Sequence, residues 1–304
     1  MNSIVQLLLR IKEFTGKLLE NETKLEDSPI GQNLLSVVKQ CASGSTAELY
    51  NSLRELKLNL GHLDPNFASD RQNDIEEFLL KLLEHLESFC KGLKDIFTFT
   101  ILRKYTCSRC GDYDFKDEKE CILYVNIDSG SCGLQKAIQT IFSGDDVRKH
   151  CVTCKWPKCS LVTVLHQIPR VLIIVAKRYA YSQDLGAVKN TECLIPSKFI
   201  KLDRVPEVKL LHKPKNILVN RFPQQVSPTL KTAQVKYELK GIISHTGETT
   251  NSGHYTANVL DSSSGCWYHC NDMHIKRTKL DDVRLEVARD GYMFFYNLSF
   301  FNRS

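Results

Sequence analysis

Two short cysteine pairs are the residues whose type and spacing point most directly to chemistry. YTCSRCG contains Cys107 and Cys110, and HCVTC contains Cys151 and Cys154. Four thiolates arranged as two C-x-x-C pairs are common ligands of a tetrahedral structural zinc, and the glycine that follows the first pair suits a tight turn around a metal. The sequence therefore predicts one structural zinc bound by these four cysteines.

The ligand set of the second pair has alternatives. His150 and Cys159 lie close enough in sequence to replace one of its members, and two unrelated pairs of reduced cysteines would give the same spacing. Cys110 and Cys151 are 41 positions apart, which is longer than a compact zinc ribbon, so strands and a helix are expected between the pairs. We interpret the other cysteines as core or surface thiols: Cys41, Cys90, Cys121, Cys132, Cys193, Cys266 and Cys270.

A histidine near the C-terminus has the surroundings of a general base. His254 begins a predicted strand in GHYTANV, and Asn271 and Asp272 end the next strand in CWYHCND. Two antiparallel strands joined by the turn at 262–265 would bring both ends together, and a side-chain oxygen would then hold the imidazole in one orientation. A histidine taken alone is more often structural, and a base of this kind needs a cysteine or serine nucleophile.

The elements that position these groups change character along the chain. The first third is helical, from an opening segment with Asn2 or Ser3 as its N-cap to DIEEFLLKLLEHL at 74–86, which has one broad apolar face. Predicted strands cover 98–105, 120–127, 161–166, 171–179, 237–244, 254–260 and 292–297, with a short helix at 134–142. Helices followed by strands indicate an α+β fold, and the proline-containing stretch at 203–232 indicates a long surface loop or insertion.

The composition narrows the class of protein. Of 304 residues, 42% are hydrophobic and 25% are charged, as in soluble globular proteins, and the net charge of +6 is too diffuse for a nucleic-acid partner. No apolar run predicts a membrane span, and no signal peptide is recognisable. Because the cysteines are then expected to stay reduced, the sequence predicts an intracellular protein of the cytoplasm or nucleus.

Taken in order, these stretches resemble the catalytic domain of the ubiquitin-specific proteases, papain-like cysteine peptidases that remove ubiquitin. MNSIVQ is similar to the end of the family's Cys box, QNDIEEFL to its Gln-Gln-Asp box, and IPRVLIIVAKRY to its Leu-Pro-x-Val-Leu strand. YELKGIISHTG, SGHYTANV, WYHCND and GYMFFY are similar to its His box and closing strands, and the cysteine pairs match its zinc-bearing fingers. Each match alone is weak, and their common order from Met1 to about Leu298 carries the resemblance.

The resemblance implies an α+β, papain-like cysteine peptidase fold in one domain over 1–304. Its parts would be a helical thumb at 1–95, truncated at its start, zinc-bearing β fingers at 96–166, and an antiparallel β palm with the His box at 167–304. His254 would be the base and Asn271 its orienting residue, with Asp272 as a helper. No catalytic cofactor is implied, and the expected partners are ubiquitin or ubiquitinated proteins.

Asp74 and Glu77 match the carboxylates with which the family grips an arginine of ubiquitin's C-terminal tail. Their spacing of three places both on one helical face, which suits a guanidinium, although spacing alone equally fits a solvated helix face. Asn73 and Ile75 differ from the commonest form of the motif, so the affinity for the tail is left open.

The family's nucleophile stands two residues before the Met of its Cys box and would therefore precede Met1, as would the Asn of the oxyanion hole. None of the 12 cysteines has a matching context, so we expect that the chain as written does not cleave ubiquitin conjugates. Retention of His254 and Asn271 favours a fragment of a complete deubiquitinase. The alternative is a catalytically inactive ubiquitin-binding scaffold, and a zinc-dependent nucleic-acid binder is disfavoured by the diffuse charge.

Overall fold

Helices dominate the first part of the chain, and most bury one apolar face. The computed structural model describes residues 1–44, 46–69, 72–128, 130, 132–182, 186–204, 233–249 and 252–301. The first helices are α1 (Asn2–Leu8), α2 (Lys12–Glu20), α3 (Glu22–Leu25), α4 (Pro29–Ser43), α5 (Thr46–Asn59) and α6 (Ile75–Phe89). Short 3₁₀ turns cover Leu60–His62, Pro65–Ala68 and Lys94–Ile96. As predicted for 74–86, α6 buries one broad face: Ile75, Phe78, Leu79, Leu82, Leu83 and Leu86.

The opening segment differs from its prediction. It forms two helices instead of one, and α1 has Met1 at its N-cap position without a side-chain cap hydrogen bond. The hydroxyl of Ser3, predicted as a cap, instead donates to the Tyr255 carbonyl at 3.1 Å. Ile11, between the two helices, is buried. The break lets both helices turn apolar residues inward, and it seats α1 against the strand that begins near His254.

The later part of the chain is mostly β-structure. Its strands are β1 (Phe99–Cys107), β2 (Tyr113–Glu120), β3 (Ile122–Val125), β4 (Asp145–Arg148), β5 (Lys158–Gln167), β6 (Val171–Ala176), β7 (Tyr179–Ser182), β8 (Gly186–Lys189), β9 (Phe199–Arg204), β10 (Ala233–Thr249), β11 (Ser252–Asp261), β12 (Cys266–Asn271), β13 (His274–Thr278) and β14 (Gly291–Phe301). Two further helices are α7 (Leu134–Phe142) and α8 (Leu280–Glu286). No helix among the described residues is long and apolar enough to cross a membrane.

Within the described ranges, twelve of these strands form one branched sheet. Strands β13-β12-β11-β10-β9-β5-β1-β2 lie side by side in that order, β14 joins β10 to β6, β6 also pairs with β3, and β4 pairs with β5. Strands β7 and β8 form a separate hairpin. The pairings are antiparallel except for β3 with β6 and a single-residue contact of β5 with β9. The α+β class with a largely antiparallel sheet is therefore confirmed.

The core lies on both faces of the sheet, and β6 shows why. All six of its residues are buried. Val171, Ile173 and Val175 pack with the helical region, whereas Leu172, Ile174 and Ala176 pack with residues of α7 and α8 on the opposite face. Alternate side chains of a strand point to opposite faces, so a continuous apolar run is what a doubly covered strand requires.

Each predicted strand overlaps an observed one, but several observed strands gave no sequence signal. β2 reads YDFKDEKE, is mostly exposed, and is held by its antiparallel pairing with β1 rather than by burial. The predicted strand at 171–179 divides into β6 and the start of β7. The predicted insertion at about 203–232 lies outside the described residues except for 203 and 204, which belong to β9.

Candidate active site and metal centre

The predicted base and its orienting residues meet at adjacent strand ends. His254 Nε2 lies 2.7 Å from Asn271 Oδ1 and 3.7 Å from Asp272 Oδ2. Since an amide oxygen only accepts, Nε2 carries the proton in this contact and Nδ1 is left free to accept one. Asp272 has a left-handed φ of 51°, which turns the chain sharply between β12 and β13. The pair is therefore oriented as a general base requires.

A cleft of about 210 Å³ opens beside this pair. The starts of α1 and α6 form one side of it, and the start of β11 and the end of β12 form the other. Its lining includes Met1, Gln72, His254 and Asp272. The Gln72 side-chain amide donates to the Gly253 carbonyl and so ties the start of α6 to the hairpin that holds His254. No cysteine thiol is a hydrogen-bond partner of His254 in the described part of the chain.

Gly253 is needed directly before His254. Its φ of 144° lies in the region that favours glycine, and a Cβ there would lie 2.2 Å from the Thr246 carbonyl oxygen and 2.8 Å from His245 Nε2. The backbones of β10 and β11 therefore approach at a distance that only glycine permits. This close approach fixes the start of β11, where His254 lies.

We expect Gly253→Ala to lower the free energy of unfolding by about 3 kcal/mol or more, because strain and a backbone clash add. Gly265→Ala is the matched control: Gly265 has a φ of 68° but open space around it, so only the left-handed cost of about 1–2 kcal/mol applies. Urea unfolding of both variants measures the difference. Equal costs would show that the close approach at Gly253 is absent.

Carboxylates stand at the start of α6. Asp74 is its N-cap and accepts from the Glu76 N–H at 2.8 Å, while Glu77 is exposed and pairs with Lys81 at 2.6 Å. Glu76 faces the sheet instead, where it accepts from the hydroxyls of Tyr124 and Tyr292. Burial raises the pKa of Glu76, and no Lys or Arg of the described residues contacts it. This carboxylate, which the sequence analysis did not single out, is half-buried and bonded to two tyrosine hydroxyls.

His245 is a second group that the sequence analysis missed, and it lies on the strand next to β11. Tyr179 Oη lies 2.5 Å from His245 Nδ1 and 3.2 Å from the Gly247 carbonyl, and both contacts are satisfied when Nδ1–H donates to Tyr179. Burial, and then the charge of Lys189, lower the pKa of His245 to about 4, so the ring is neutral at pH 7. His245 Nε2 and Gln72 Oε1 are buried acceptors without a partner among the described residues.

The four predicted zinc ligands come together at the far end of β1 and β5. Their sulfur atoms all lie within 4.8 Å of one another, with Cys107 Sγ 3.5 Å from Cys154 Sγ and Cys110 Sγ 3.6 Å from Cys151 Sγ. Sulfurs of a tetrahedral zinc with bonds of 2.3 Å are about 3.8 Å apart. The cluster could therefore hold a metal ion, and its soft thiolate ligands suit zinc.

The backbone repeats one turn at both cysteine pairs. Gly111 N–H donates to the Cys107 carbonyl at 3.1 Å, and Lys155 N–H donates to the Cys151 carbonyl at 3.0 Å. Both donors have positive φ, 71° for Gly111 and 59° for Lys155. Hydrogen bonds from the backbone of Cys110 and Arg109 lower the pKa of Cys107 to about 6, which favours the thiolate. The repeated turn thus places both cysteine pairs for a shared metal, and backbone hydrogen bonds lower the pKa of one thiol in each pair, Cys107 and Cys151.

The alternative ligands lie outside this cluster. Cys159 is buried next to it, and its thiol donates to the Lys149 carbonyl at 3.3 Å. His150 is not part of any metal-compatible group within the described residues. The missed residues Gln72, Glu76 and His245 stand inside stretches already matched to the family. Position within a matched motif was therefore the one available signal for them.

A histidine held by an amide at a helix–sheet cleft, together with a separate four-thiol cluster, is the arrangement expected of a cysteine-peptidase-like domain with a metal-binding region. The family model described as ubiquitin carboxyl-terminal hydrolase matches residues 1–296. The chain therefore belongs to the ubiquitin carboxyl-terminal hydrolase family.

Individual relatives share the same description. Ubiquitin carboxyl-terminal hydrolase 29 of Mus musculus is 24% identical over 237 residues, covering 66% of this chain and 27% of that protein. Ubiquitin carboxyl-terminal hydrolase 25 of Arabidopsis thaliana is 26% identical over 259 residues, covering 77% of this chain and 34% of that protein. Ubiquitin carboxyl-terminal hydrolase 8 of Saccharomyces cerevisiae is 30% identical over 186 residues, covering 61% and 34%. The matches thus span about a quarter to a third of these curated relatives.

Solved structures share the fold. In the SAGA Ubp8/Sgf11/Sus1/Sgf73 DUB module bound to ubiquitin aldehyde, the matching chain superposes with a TM-score of 0.78 at 18% identity, covering 99% of this chain and 68% of that one. In a variant of the same module bound to monoubiquitin, the matching chain superposes with a TM-score of 0.75 at 18% identity, covering 99% and 67%. At this identity the likeness concerns the fold.

Proposed function

We propose that this chain is the catalytic domain of a deubiquitinase that hydrolyses ubiquitin conjugates through a cysteine thiol. The observation that carries the proposal is the contact of 2.7 Å between His254 Nε2 and Asn271 Oδ1 at the mouth of a cleft lined by the start of α1. The family assignment supports the same chemistry. The thiol is proposed to come from a Cys box like the family's, because no cysteine of the described residues is hydrogen-bonded to His254.

The proposed reaction uses this geometry in two stages. His254 Nδ1 accepts the thiol proton, and the thiolate attacks the carbonyl carbon of ubiquitin's terminal glycine. The bond from this carbon to the lysine nitrogen then breaks, and the leaving amine takes the proton back from His254. Water, deprotonated by the same imidazole, hydrolyses the thioester. Asn271 keeps the ring oriented in each step, and Asp272, 3.7 Å away, stabilises its charged form.

Recognition of ubiquitin is proposed to depend on the carboxylates at the start of α6. Asp74 and Glu77 correspond to the family's arginine-binding positions, and Glu76 adds a carboxylate with no cation partner among the described residues. A guanidinium from the tail would neutralise this excess of negative charge. The two buried acceptors, Gln72 Oε1 and His245 Nε2, suit backbone N–H groups of the same tail.

The remaining assignments follow the same proposal. The four-cysteine cluster is assigned a structural zinc, and the thumb, finger and palm regions are assigned to 1–95, 96–166 and 167–304. An intracellular location in the cytoplasm or nucleus suits a cluster of free thiols, because such thiols persist where the environment is reducing.

Binding of ubiquitin tests the proposal. We expect the 304-residue chain to bind ubiquitin and Asp74→Asn to weaken binding about tenfold, since a charge-assisted hydrogen bond contributes about 1.5–3 kcal/mol. Asparagine also caps helices, so the start of α6 is preserved. Glu76→Gln is expected to have an effect of similar size.

Titration calorimetry with ubiquitin measures these affinities. Glu20→Gln, an exposed charge on α2, is the matched control and should bind normally. A ubiquitin variant with alanine in place of the tail arginines should bind the parent chain and Asp74→Asn equally weakly. Undiminished binding by Asp74→Asn and Glu76→Gln would refute the assigned tail site.

A further inference from the structure

The hairpin of β12 and β13 occupies one end of the sheet, beside the candidate base. Strand order places β12 and β13 on one side of β11, which carries His254, and β10, β14, β6 and β3 on the other. Of the groups assigned to the ubiquitin tail, His245 lies on β10, and Glu76 is hydrogen-bonded to Tyr292 on β14 and Tyr124 on β3. A substrate that enters along this second side and reacts at His254 therefore continues towards the hairpin.

The hairpin presents apolar side chains next to the site. Met273 follows Asp272 directly and is 94% exposed, and Ile275 is 58% exposed. Single exposed apolar residues are ordinary on protein surfaces. These two differ in position, because Met273 is only two residues from Asn271, the partner of His254. Met273 also follows Asp272, which lines the cleft, directly in the chain.

The same hairpin is basic and has a free edge. The segment 273–280 contains Lys276, Arg277 and Lys279 and no acidic residue, and all three cations are exposed. None of them forms a salt bridge within the described residues. β13 pairs with β12 alone in the part of the chain that the structure describes, so its other edge is open to an extended peptide.

We propose that the β12–β13 hairpin binds the acceptor side of the substrate, as an extended acidic segment next to the lysine that carries ubiquitin. This inference rests on the proposed function. Met273 and Ile275 contact the aliphatic part of the conjugated lysine and its neighbours, and Lys276, Arg277 and Lys279 attract the flanking carboxylates. Basic residues on an edge strand can also serve only to prevent edge-to-edge association with another sheet. The test below distinguishes this role from binding of the substrate.

The test compares ubiquitin with two conjugates, in which ubiquitin is joined by an isopeptide bond to the lysine of a short Asp/Glu-rich or Gly/Ser-rich peptide. The 304-residue chain is used, because it is expected to leave the conjugates intact. The acidic conjugate should bind about fivefold more tightly than ubiquitin at low salt, from exposed charge pairs of about 0.2–1 kcal/mol each. High salt should reduce this gain.

Variants assign the gain to the hairpin. The double variant Lys276→Glu with Arg277→Glu should abolish the gain in affinity for the acidic conjugate, while ubiquitin itself binds unchanged. Replacing the same two residues by alanine should reduce this gain. Met273→Ala should weaken the binding of both conjugates about twofold. Lys91→Glu is the matched control, because Lys91 is exposed beyond the far end of α6, about 22 Å from its start.

The outcomes are distinct. Absence of ubiquitin binding by a folded chain would refute the proposed function. Normal ubiquitin binding with equal affinity for both conjugates, or a gain that survives charge reversal, would overturn the acceptor-side inference alone. Self-association of the charge-reversed chain with the gain retained would assign the basic edge to preventing sheet pairing, and would also overturn the inference.

Discussion

Cys107→Ser is expected to remove zinc from the chain and to unfold the finger region assigned to 96–166. The four sulfurs are already within 4.8 Å of one another, and both knuckles carry the same backbone hydrogen bonds, so losing one thiolate leaves the other three without a stable tetrahedral site. Zinc binding to such sites contributes about 10–16 kcal/mol in isolated peptides. We expect loss of about one equivalent of metal and a fall in the free energy of unfolding of several kcal/mol.

Metal analysis of purified protein and thermal unfolding check this prediction. Cys159→Ser is the matched control, because Cys159 is buried beside the cluster, pairs with Cys107 across β1 and β5, and lies outside the four-sulfur group. Serine can keep its hydrogen bond to the Lys149 carbonyl. Zinc retained by Cys107→Ser, or lost equally by Cys159→Ser, would contradict the assigned ligand set.

Turnover is expected to require addition of the family's Cys box, which supplies the nucleophile and the oxyanion-hole Asn. The 304-residue chain should release no fluorophore from the C-terminus of ubiquitin, whereas the chain preceded by the family's Cys box, with its upstream Asn, should do so. Acyl transfer needs a thiolate beside the base, and none of the 12 cysteines is hydrogen-bonded to His254 in the described part of the chain. Cys270, adjacent to Asn271, is buried, and burial raises its pKa. An oxyanion donor alone contributes about 100- to 1,000-fold.

Three variants of the extended chain serve as controls. Alanine at the added cysteine should abolish turnover, His254→Gln should nearly abolish it, and Asn271→Ala should lower it without changing the affinity for ubiquitin. Thiol-sensitive turnover by the unextended chain would identify one of its own cysteines as the nucleophile. An extended chain that is folded, zinc-loaded, ubiquitin-binding and inactive would favour the scaffold hypothesis.

Much of the architecture could be predicted from local sequence patterns, because the spacing of apolar residues follows directly from which face of a helix or strand is buried. The apolar face of α6 recurs at helical spacing, and the unbroken apolar run of β6 matches burial on both faces. The two C-x-x-C pairs are local as well. Each C-x-x-C pair forms one turn of a few residues, so its residue types and spacing can be recognised in the sequence even though the other pair lies 41 positions away.

Some local expectations failed where a distant contact competed. The sequence predicts Asn2 or Ser3 as a helix cap, yet no side chain caps α1, and the Ser3 hydroxyl donates to the carbonyl of Tyr255, 252 positions away. The second knuckle uses Lys155 at a positive φ where the first has Gly111. Hydrogen bonds of the turn hold Lys155 in this left-handed conformation. Because lysine does not prefer that conformation, the residue type at 155 does not predict the turn.

The sequence by itself therefore determined the α+β class, the cysteine pairs, and the pairing of His254 with Asn271 across one hairpin. The tertiary structure alone decided which other groups join them. Gln72 reaches the Gly253 carbonyl across 181 positions, and Glu76 reaches the Tyr292 hydroxyl across 216. Both contacts exist because the start of α6 packs against the sheet. No periodicity within a segment encodes that packing, since it depends on how separate apolar faces are buried together.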